Sequence, residues 1–247
     1  MEKLAWLTTR PIAHRGLHDA ARGIIENTTS AFDAAIAGNY GVETDVQLSR
    51  DGEAMVHHDD VLGRLTDGSG PLAALTAAEL ARVPYRATAD RMMTLGELCD
   101  RIAGRVALVV EIKSRFERDD RLAARTAKVL TAYKGPAAAM SFDPHLVACL
   151  RHMAPALARG VVSQHRFVDE EWQSLSAWQR ASMAHLLHAP RTRPDFVAYQ
   201  VDDLPAPATR LARWFGAPVL TWTVCTPEQR ERATRWADQM IFEGFRA

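Results

Sequence analysis

Residues 42–60, VETDVQLSRDGEAMVHHDD, decide how the rest of the chain is interpreted. Two extended halves meet at Asp51-Gly52, and this dipeptide favours a two-residue β-hairpin turn because both central positions of such a turn need a positive φ angle. We therefore predict that the second half, EAMVHHD (53–59), runs antiparallel to the first. It would be a small excursion from the main sheet.

Outside this hairpin, short β-branched segments alternate with longer amphipathic ones along the chain. Such alternation indicates a parallel sheet covered by helices, and eight parallel strands close a (β/α)8 barrel. We therefore predict one α/β domain, residues 1–247, folded as a TIM barrel with a small hairpin after strand 2. The eight predicted strands are 11–14, 42–48, 106–113, 138–142, 160–164, 196–201, 217–224 and 239–243.

A helix is predicted between the first two strands, in NTTSAFDAAIAGNY (27–40). Its apolar side chains recur at a helical spacing, at Phe32, Ile36 and Tyr40. Asn27 or Thr28 is expected to cap its start by accepting a hydrogen bond from a free backbone amide. Residues 63–91, rich in Gly, Ala, Arg and Thr, are predicted to form a loop and a short helix.

The register of the hairpin predicts which side chains share a face. A two-residue turn places residue i opposite residue 103 − i, so Asp45 is predicted to face His58. Because side chains alternate along a strand, one face is then acidic, with Glu43, Asp45 and His58, and the other is largely apolar. This alternation selects His58 rather than His57 as a candidate site residue.

The same alternation recurs in LVVEIKS (108–114), where Glu111 and Lys113 point to one side. A buried carboxylate and ammonium group are costly unless they are paired or bound to a ligand, and the carboxyl ends of barrel strands line the catalytic mouth. Three carboxylates converging there suit a divalent cation bound through oxygen, Mg²⁺ or Ca²⁺. The predicted metal ligands are Glu43, Asp45 and Glu111.

Basic and titratable side chains are expected at the same mouth. Two histidines, His14 at the end of PIAHRG (11–16) and His58, supply a general acid and a general base near neutral pH. Arg15 and Lys113 supply positive charge for an oxyanion, most naturally phosphate. Taken singly, each carboxylate fits a surface or ion-pair residue better than a ligand; the combination indicates a site. The other histidines, and Trp222, are expected to be structural, exposed or in the core; those histidines are His18, His57, His145, His152, His165, His185 and His188.

The bulk composition narrows the classes of protein. Lys+Arg and Asp+Glu both count 30 and the sequence pI is about 7.1, which argues against a nucleic-acid surface spread over the whole protein. The three cysteines, Cys99, Cys149 and Cys225, have no disulfide or zinc spacing and are expected to be buried free thiols in a reducing compartment. We expect a cytoplasmic protein without a secretory signal or a membrane insertion. The oligomeric state is left open.

Several short motifs together resemble the glycerophosphodiester phosphodiesterase family in order and spacing, over essentially the full length. They are His14-Arg15-Gly16, Glu26-Asn27-Thr28 with Ala31-Phe32, Glu43-x-Asp45-Val46, Ser49-x-Asp51-Gly52, Val56-x-His58-Asp59, Arg64-x-Thr66, Glu111-Ile112-Lys113, Ser141-Phe142 and Trp222-Thr223-Val224. The resemblance implies a TIM barrel that hydrolyses a small glycerophosphodiester to glycerol 3-phosphate and an alcohol. It implies metal ligands at Glu43, Asp45 and Glu111, acid and base at His14 and His58, and phosphate contacts at Arg15 and Lys113.

The chain departs from the family at two places. The last strand usually ends in Thr-Asp, whereas Phe242-Glu243 stands here, and the region after His58 is short and poor in aromatic residues. Two alternatives therefore stay open. A lysophospholipase D would use the same centre and needs an apolar groove at the mouth, and a non-catalytic barrel would bind a phosphorylated ligand without needing an acid and a base.

Overall fold

The computed structural model describes residues 4–169 and 172–247. Within these ranges the predicted parallel strands are all present, each with bounds within two residues of the prediction. The strands are β1 (Ile12–Ala13), β2 (Gly41–Leu48), β3 (Ala54–Val56), β4 (Val61–Leu62), β5 (Gly70–Pro71), β6 (Leu108–Ile112), β7 (Ala137–Ser141), β8 (Ala158–Ser163), β9 (Phe196–Gln200), β10 (Val219–Val224) and β11 (Gln239–Phe242).

The main sheet closes into a barrel. Its strand order is β1-β11-β10-β9-β8-β7-β6-β2-β3, and β1 also pairs with β2. All pairings around the ring are parallel, and only β3, which pairs with β2, is antiparallel. The described part of the chain thus forms an eight-stranded parallel barrel with β3 attached to β2, which confirms the predicted TIM barrel.

Helices connect the strands and cover the outside of the barrel. They are α1 (Ala5–Thr8), α2 (Thr29–Ala37), α3 (Ala77–Leu80), α4 (Leu95–Ile102), α5 (Arg121–Ala132), α6 (Pro144–Met153), α7 (Ala177–Ala184), α8 (Ala189–Thr192), α9 (Pro207–Trp214) and α10 (Pro227–Trp236). None of the helices within residues 4–169 and 172–247 is long and apolar enough to cross a membrane.

Helix α2 begins where it was predicted, but its cap comes from elsewhere. Thr28 holds the N-cap position, yet its hydroxyl donates to the carbonyl of Ile25 at 2.7 Å. The amide of Ser30 instead donates to the Asp90 carboxylate at 3.1 Å. The predicted cap by Asn27 or Thr28 is therefore wrong, since a residue from a distant loop accepts the free amide hydrogen bond.

Side-chain alternation divides the apolar residues into two packed layers. Inward positions such as Ile12, Val109, Met140 and Leu220 fill the barrel interior. Outward positions, Ala13 among them, pack against the covering helices. The inward rows continue toward the carboxyl ends of the strands, where polar side chains replace the apolar ones.

The hairpin after β2 forms with one more loop residue than predicted. Val46 pairs with Val56, and the amide of Ser49 donates to the carbonyl of Glu53, so residue i lies opposite residue 102 − i. Gly52 has φ +83° after a turn closed by its amide on Ser49, which is a three-residue loop rather than a two-residue one. The predicted pairing of Asp45 with His58 is wrong by one residue.

The segment following the hairpin forms a small core of its own. It contains β4, β5, one short helix (α3) and a three-residue 3₁₀ turn, as predicted for a loop with a short helix. Its buried residues are Ile25, Met55, Leu62, Leu72, Leu80, Tyr85 and Met92. This small core lies against the β2–β3 hairpin and holds in place the segment that brings His58 to the mouth. The three cysteines are free, as expected, but only Cys99 is buried; Cys149 is half-buried and Cys225 is exposed, so the expectation of buried thiols is wrong for these two.

Candidate active site

Three buried carboxylates meet at one edge of the barrel mouth. Glu43 and Asp45 lie on β2, Glu111 lies on β6, and the parallel register sets Asp45 directly beside Glu111. One carboxylate oxygen of each residue lies within 4.8 Å of those of the other two. The convergence predicted from alternation is therefore present, and this group is called the carboxylate cluster below.

The electrostatics of the cluster depend on how many positive groups face it. Burial raises the pKa of Glu43 well above its usual value, and the nearby charges of Asp45 and Glu111 raise it further. Burial also acts to raise the pKa of Asp45, but the positive charges of Lys113 and Arg15 outweigh it and hold that pKa well below its usual range.

Lys113 and Arg15 supply those charges. The Lys113 ammonium lies 2.8 Å from Asp45 and 2.6 Å from Glu111. The Arg15 guanidinium lies 3.1 Å from Asp45, and the Arg15 amide donates to Glu43 at 3.0 Å. Burial lowers the pKa of Lys113, but the two carboxylates outweigh burial and raise it above its usual value.

The carboxylate cluster fits a hard divalent cation. Three carboxylates face two fixed cations, and the raised pKa of Glu43 marks a place where a further positive charge is favourable. Oxygen donors at this spacing are those that Mg²⁺ and Ca²⁺ prefer. Such an ion would compete with Lys113 for the oxygens of Asp45 and Glu111, freeing the ammonium group.

His14 is the residue after β1, and its ring contacts a carboxylate. Its Nδ1 lies 2.6 Å from Glu243, the residue after β11, and its Nε2 lies 3.9 Å from Glu43. The hydrogen bond from His14 and the close approach of His18 lower the pKa of Glu243 below its usual value, although burial opposes them. The longer carboxylate at the end of the last strand therefore reaches His14.

His58 is held in the same manner on the other side. Its Nδ1 lies 2.8 Å from Asp59, and its carbonyl accepts a hydrogen bond from the Gln47 side chain at 2.8 Å. It is near enough to Asp45 for a positive imidazolium to lower the pKa of that carboxyl.

Strand alternation does not bring His58 to the mouth. In the observed register His57, not His58, pairs with Asp45, through a 3.1 Å backbone hydrogen bond. Strand β3 ends at Val56, and the chain beyond it buries His57 beside Tyr85 while turning His58 toward the mouth. The reasoning that selected His58 is therefore wrong, although the residue itself lies at the mouth.

A chain of charged side chains connects the two sides of the site. Arg64 contacts Asp59 at 2.6 Å and Glu26 at 2.7 Å, and Glu26 in turn accepts from Arg15 at 2.8 Å. This series, from Asp59 through Arg64 and Glu26 to Arg15, is called the Glu26–Arg64 network below. Sequence reasoning assigned no role to Glu26, Asp59 or Arg64, and their only signal was membership of the family motifs.

The backbone at His14-Arg15-Gly16 turns sharply. Arg15 has φ +53° and Gly16 φ +80°, both in the left-handed region that costs a side-chain-bearing residue free energy. A Cβ on Gly16 would lie 2.8 Å from the backbone of Ala31 in α2. Gly16 therefore allows close packing against α2.

The Asn27 side chain makes a contact with the site that the sequence did not predict. Its side-chain amide donates to Asp45 at 3.0 Å, and its carbonyl oxygen accepts from Thr44 at 2.7 Å. It thereby fixes one oxygen of Asp45 from outside the carboxylate cluster instead of capping α2. Its φ of +57° lies in the left-handed region, which asparagine tolerates better than most residues.

Aromatic side chains gather after the strands on the far side of the mouth. Phe142 lies 5.0 Å from Trp172 and 5.5 Å from Trp222 between ring centroids, and Phe116 and Phe167 complete the group. Trp172 and Phe167 are buried, whereas Phe142 and Trp222 are half-buried. Trp222 is half-buried and packs against the apolar residues of the barrel interior, in agreement with the expectation that it is a core residue.

The expectation that His18 stands apart from the site is wrong. Its Nε2 lies 3.4 Å from the same oxygen of Glu243 that contacts His14. The seven predicted site residues, by contrast, are brought together as expected. They are His14, Arg15, Glu43, Asp45, His58, Glu111 and Lys113.

Comparisons with known proteins agree with this arrangement. Residues 14–245 match the family described as the glycerophosphoryl diester phosphodiesterase family. A glycerophosphodiester phosphodiesterase of Caldanaerobacter subterraneus subsp. tengcongensis is 31% identical over 173 residues, which cover 66% of this chain and 70% of that protein.

Solved structures show the same fold. A phosphodiesterase of Oleispira antarctica, in complex with the product sn-glycerol-3-phosphate, has a TM-score of 0.77 at 22% identity, covering 96% of this chain and 94% of that one. A glycerophosphodiester phosphodiesterase of Thermotoga maritima has a TM-score of 0.70 at 24% identity, covering 94% and 92%. The chain therefore belongs to the glycerophosphoryl diester phosphodiesterase family, a family of phosphoric diester hydrolases.

Proposed function

We propose that this protein hydrolyses small glycerophosphodiesters to glycerol 3-phosphate and an alcohol, with Mg²⁺ or Ca²⁺ bound at Glu43, Asp45 and Glu111. One observation carries the proposal. Two histidines approach the carboxylate cluster, and each is held through Nδ1 by a carboxylate of its own, Glu243 for His14 and Asp59 for His58. A ligand-binding barrel needs basic groups but no such pair.

The proposed roles follow from these contacts. Arg15 and Lys113 attract the phosphate oxygens of the substrate. Because Glu243 and Asp59 occupy the Nδ1 atoms, the Nε2 atoms of His14 and His58 are left to exchange protons with the substrate. One histidine takes the proton of the attacking hydroxyl, and the other gives a proton to the oxygen of the departing alcohol.

The cation has one function in this scheme. When it is bound, it supplies positive charge that neutralises the negative charge growing on the phosphate oxygens. The carboxylate cluster holds it, and Asn27 and the Arg15 amide fix the orientation of two of the three carboxylates. Removing the cation is therefore expected to abolish turnover without unfolding the barrel.

A lysophospholipase D is the second candidate, because the mouth carries the aromatic cluster around Phe142 and Trp222. The predicted requirement for that activity is an apolar surface beside the centre, and these half-buried rings provide one on the side away from the carboxylates. Burial of an acyl chain on such a surface contributes roughly 0.8 kcal/mol per methylene group. The two candidates share the same catalytic residues and differ in the phosphate monoester that is formed, glycerol 3-phosphate or an acylated glycerol phosphate.

One assay tests the proposal and separates the candidates. The purified chain is treated with EDTA, supplied with Mg²⁺ or Ca²⁺, and given glycerophosphocholine while glycerol 3-phosphate is followed. We expect release only with the divalent ion, and faster release than choline release from lysophosphatidylcholine. Absence of glycerol 3-phosphate with either ion would contradict the first candidate, and faster release from the lysophospholipid would favour the second. A cyclic phosphate appearing first would identify the neighbouring glycerol hydroxyl as the nucleophile.

Histidine variants extend the test. His14→Ala and His58→Ala are each expected to lower turnover by roughly 10² or more, because general acid–base catalysis contributes about that factor. The matched control is His152→Ala, an exposed histidine at the end of α6. Binding of glycerophosphocholine without any turnover in the unmodified chain would instead identify a non-catalytic phospho-ligand barrel.

For the cellular setting we propose the cytoplasm, supported by the three free thiols.

A further inference from the structure

A second group of metal-ligating side chains lies beside the carboxylate cluster. Glu243 Oε2 is 2.6 Å from His14 Nδ1 and 3.4 Å from His18 Nε2, and the three ligand atoms all lie within 4.8 Å of one another. None of these atoms belongs to Glu43, Asp45 or Glu111. The His14–His18–Glu243 group is thus a separate arrangement at the ends of β1 and β11.

The donor set differs in kind from that of the carboxylate cluster. Two imidazole nitrogens and one carboxylate oxygen suit Zn²⁺ and similar transition metals, whereas Mg²⁺ and Ca²⁺ prefer oxygen. Bonds of about 2.0–2.1 Å place the donors of a tetrahedral zinc site about 3.3 Å apart. The 3.4 Å between His18 and Glu243 already matches that edge.

The Nε2 atom of His18 is available to bind a ligand. Its Nε2 is buried and has no hydrogen-bond partner among residues 4–169 and 172–247, since the 3.4 Å approach to Glu243 is not a hydrogen bond. A buried polar atom without a partner is costly. A ligand that uses this nitrogen would remove that cost.

We propose that His14, His18 and Glu243 form a Zn²⁺ site, with a fourth position open to water. Binding replaces the proton shared by His14 Nδ1 and Glu243, which passes to solvent as the nitrogen and oxygen lone pairs bind the metal. The short contact between those two atoms then lengthens toward the tetrahedral edge.

The site would make zinc an inhibitor, a consequence that rests on the function proposed above. Ligation ties the His14 ring to the metal and takes away the carboxylate that positions it. The carboxylate cluster shares no ligand atom with the zinc site, so Mg²⁺ bound there would not block the approach of zinc to His14, His18 and Glu243. Inhibition should therefore persist at saturating Mg²⁺.

Cys225 is a competing donor beside this group. Its exposed thiol lies 3.8 Å from the other oxygen of Glu243, and thiolates bind zinc strongly. The thiol faces Oε1 of Glu243, whereas both histidines contact Oε2, so the His14–His18–Glu243 group does not depend on Cys225. Cys225→Ser is for that reason the appropriate comparison.

The test measures zinc binding directly, independently of turnover. The metal-free full chain is saturated with Mg²⁺ and titrated with Zn²⁺ against a chromophoric chelator. We expect one zinc ion per chain, weakened at least about 10-fold in His18→Ala and in His18→Gln and unchanged in His152→Ala and Cys225→Ser. X-ray absorption should show only nitrogen and oxygen donors near 2.0–2.1 Å.

Three results would overturn the site: unchanged binding in both His18 variants, binding lost in Cys225→Ser alone, or a sulfur donor at about 2.3 Å. For turnover, each variant is compared with its own zinc-free activity, and zinc should inhibit Cys225→Ser but not the His18 variants. Zinc binding through His18 without inhibition of an active enzyme would contradict the inhibitory role. If the chain binds zinc through His18 but hydrolyses no glycerophosphodiester, the metal site stands and only the proposed function fails.

Discussion

Each of the two mouth histidines keeps one ring nitrogen occupied by a carboxylate. In both cases the contact is to Nδ1, at 2.6 Å in His14 and 2.8 Å in His58. A carboxylate on one nitrogen fixes the ring orientation and favours the tautomer whose other nitrogen is a proton acceptor. Glu243 and Asp59 are therefore positioning residues in the proposed reaction, acting through the histidines that they hold.

The first prediction concerns Glu243. Glu243→Gln keeps the size of the side chain but cannot stabilise a positive His14, so we expect kcat to fall about 10-fold or more with little change in KM. Glu243→Asp should recover part of the loss if the shorter carboxylate still reaches the ring. Steady-state kinetics on glycerophosphocholine provide the measurement.

Glu228→Gln is the control for Glu243, because Glu228 lies exposed in the first turn of α10. Its kcat should match that of the unmodified chain. A Glu243→Gln enzyme with unchanged kcat, or one that loses only substrate affinity, would contradict the positioning role.

A second prediction tests the Glu26–Arg64 network. Arg64→Met removes the cation between Asp59 and Glu26 while retaining much of the apolar stem, and we expect kcat to fall several-fold because His58 and Arg15 both lose part of their support. The matched control is Arg86→Met, whose partner Asp67 is exposed and 3.4 Å away. Equal kcat values for the two variants would exclude a role for the network.

At the scale of single residues, the sequence predicts the positions of the three carboxylates better than the contacts that the other site residues make. Glu43, Asp45 and Glu111 could be predicted to converge, because alternation within a strand and parallel pairing fix where inward side chains lie. The contact between His18 and Glu243 could not, since it joins a loop to a strand end 225 residues later in the sequence. No short sequence pattern around either residue predicts this contact.

At the scale of elements, the strands form where their sequence patterns predict them, whereas the connections between strands differ from the prediction. The β2–β3 hairpin shows why: the dipeptide Asp51-Gly52 fits a two-residue turn, yet Gly52 serves as the left-handed residue of a three-residue loop. Both loops satisfy the same local preferences. In the observed register Met55 packs into the small core after the hairpin and Val56 packs with Val46 on the other face. A slip of one residue would exchange these faces relative to β2, so tertiary contacts favour the longer loop.

The cap of α2 gives the third prediction. Asp90→Ala removes the acceptor of the Ser30 amide, and we expect the free energy of unfolding to fall by about 1 kcal/mol. Denaturant unfolding provides the measurement, with exposed Asp100→Ala as the control. An Asp90 variant as stable as the control would show that the long-range cap contributes nothing.

The same cap should depend on pH. Burial acts to raise the pKa of Asp90, but the hydrogen bonds from Ser30 outweigh it, so the folded-state pKa is lowered. A carboxyl whose pKa is lowered on folding stabilises the protein above its unfolded-state pKa and loses that contribution as pH falls through the folded-state value. The difference between the unmodified chain and Asp90→Ala should therefore be largest near neutral pH.

Over the whole molecule, the mouth is divided into a charged and an uncharged side. The ends of β11, β1, β2 and β6 carry the histidine and carboxylates, whereas the inward positions at the ends of β7, β9 and β10 are Phe142, Gln200 and Trp222. The eight strands, their order and the closed barrel could be predicted from the alternation of segments. This division could be predicted only in part, since it requires knowing which residue is the last inward one on every strand.

The whole-molecule prediction concerns stability in mild acid. His188 is largely buried, and burial together with the charge of Arg191 lowers its pKa to about 4. A histidine with a lowered pKa binds its proton more weakly when folded, so stability is lost as pH falls from about 6.5 toward 4. We expect the loss attributable to His188 to reach about 2 kcal/mol at pH 5.

His188→Gln should reduce this pH dependence, whereas exposed His152→Gln should not. Denaturant unfolding at pH 7 and pH 5 measures both variants. Equal pH dependence in His188→Gln and the unmodified chain would show that another group controls acid stability.

The most direct test of the central claim, that His14 and His58 divide the work of acid and base, varies the leaving group. Turnover of His14→Ala and His58→Ala is measured on glycerophosphocholine and on the p-nitrophenyl ester of glycerol phosphate, whose phenolate departs without needing a proton. We expect both variants to lose roughly 10² or more on glycerophosphocholine, while the variant that lacks the acid, and only that one, recovers most of its loss on the p-nitrophenyl ester. Equal losses on both substrates for both variants, or no loss for either, would contradict it.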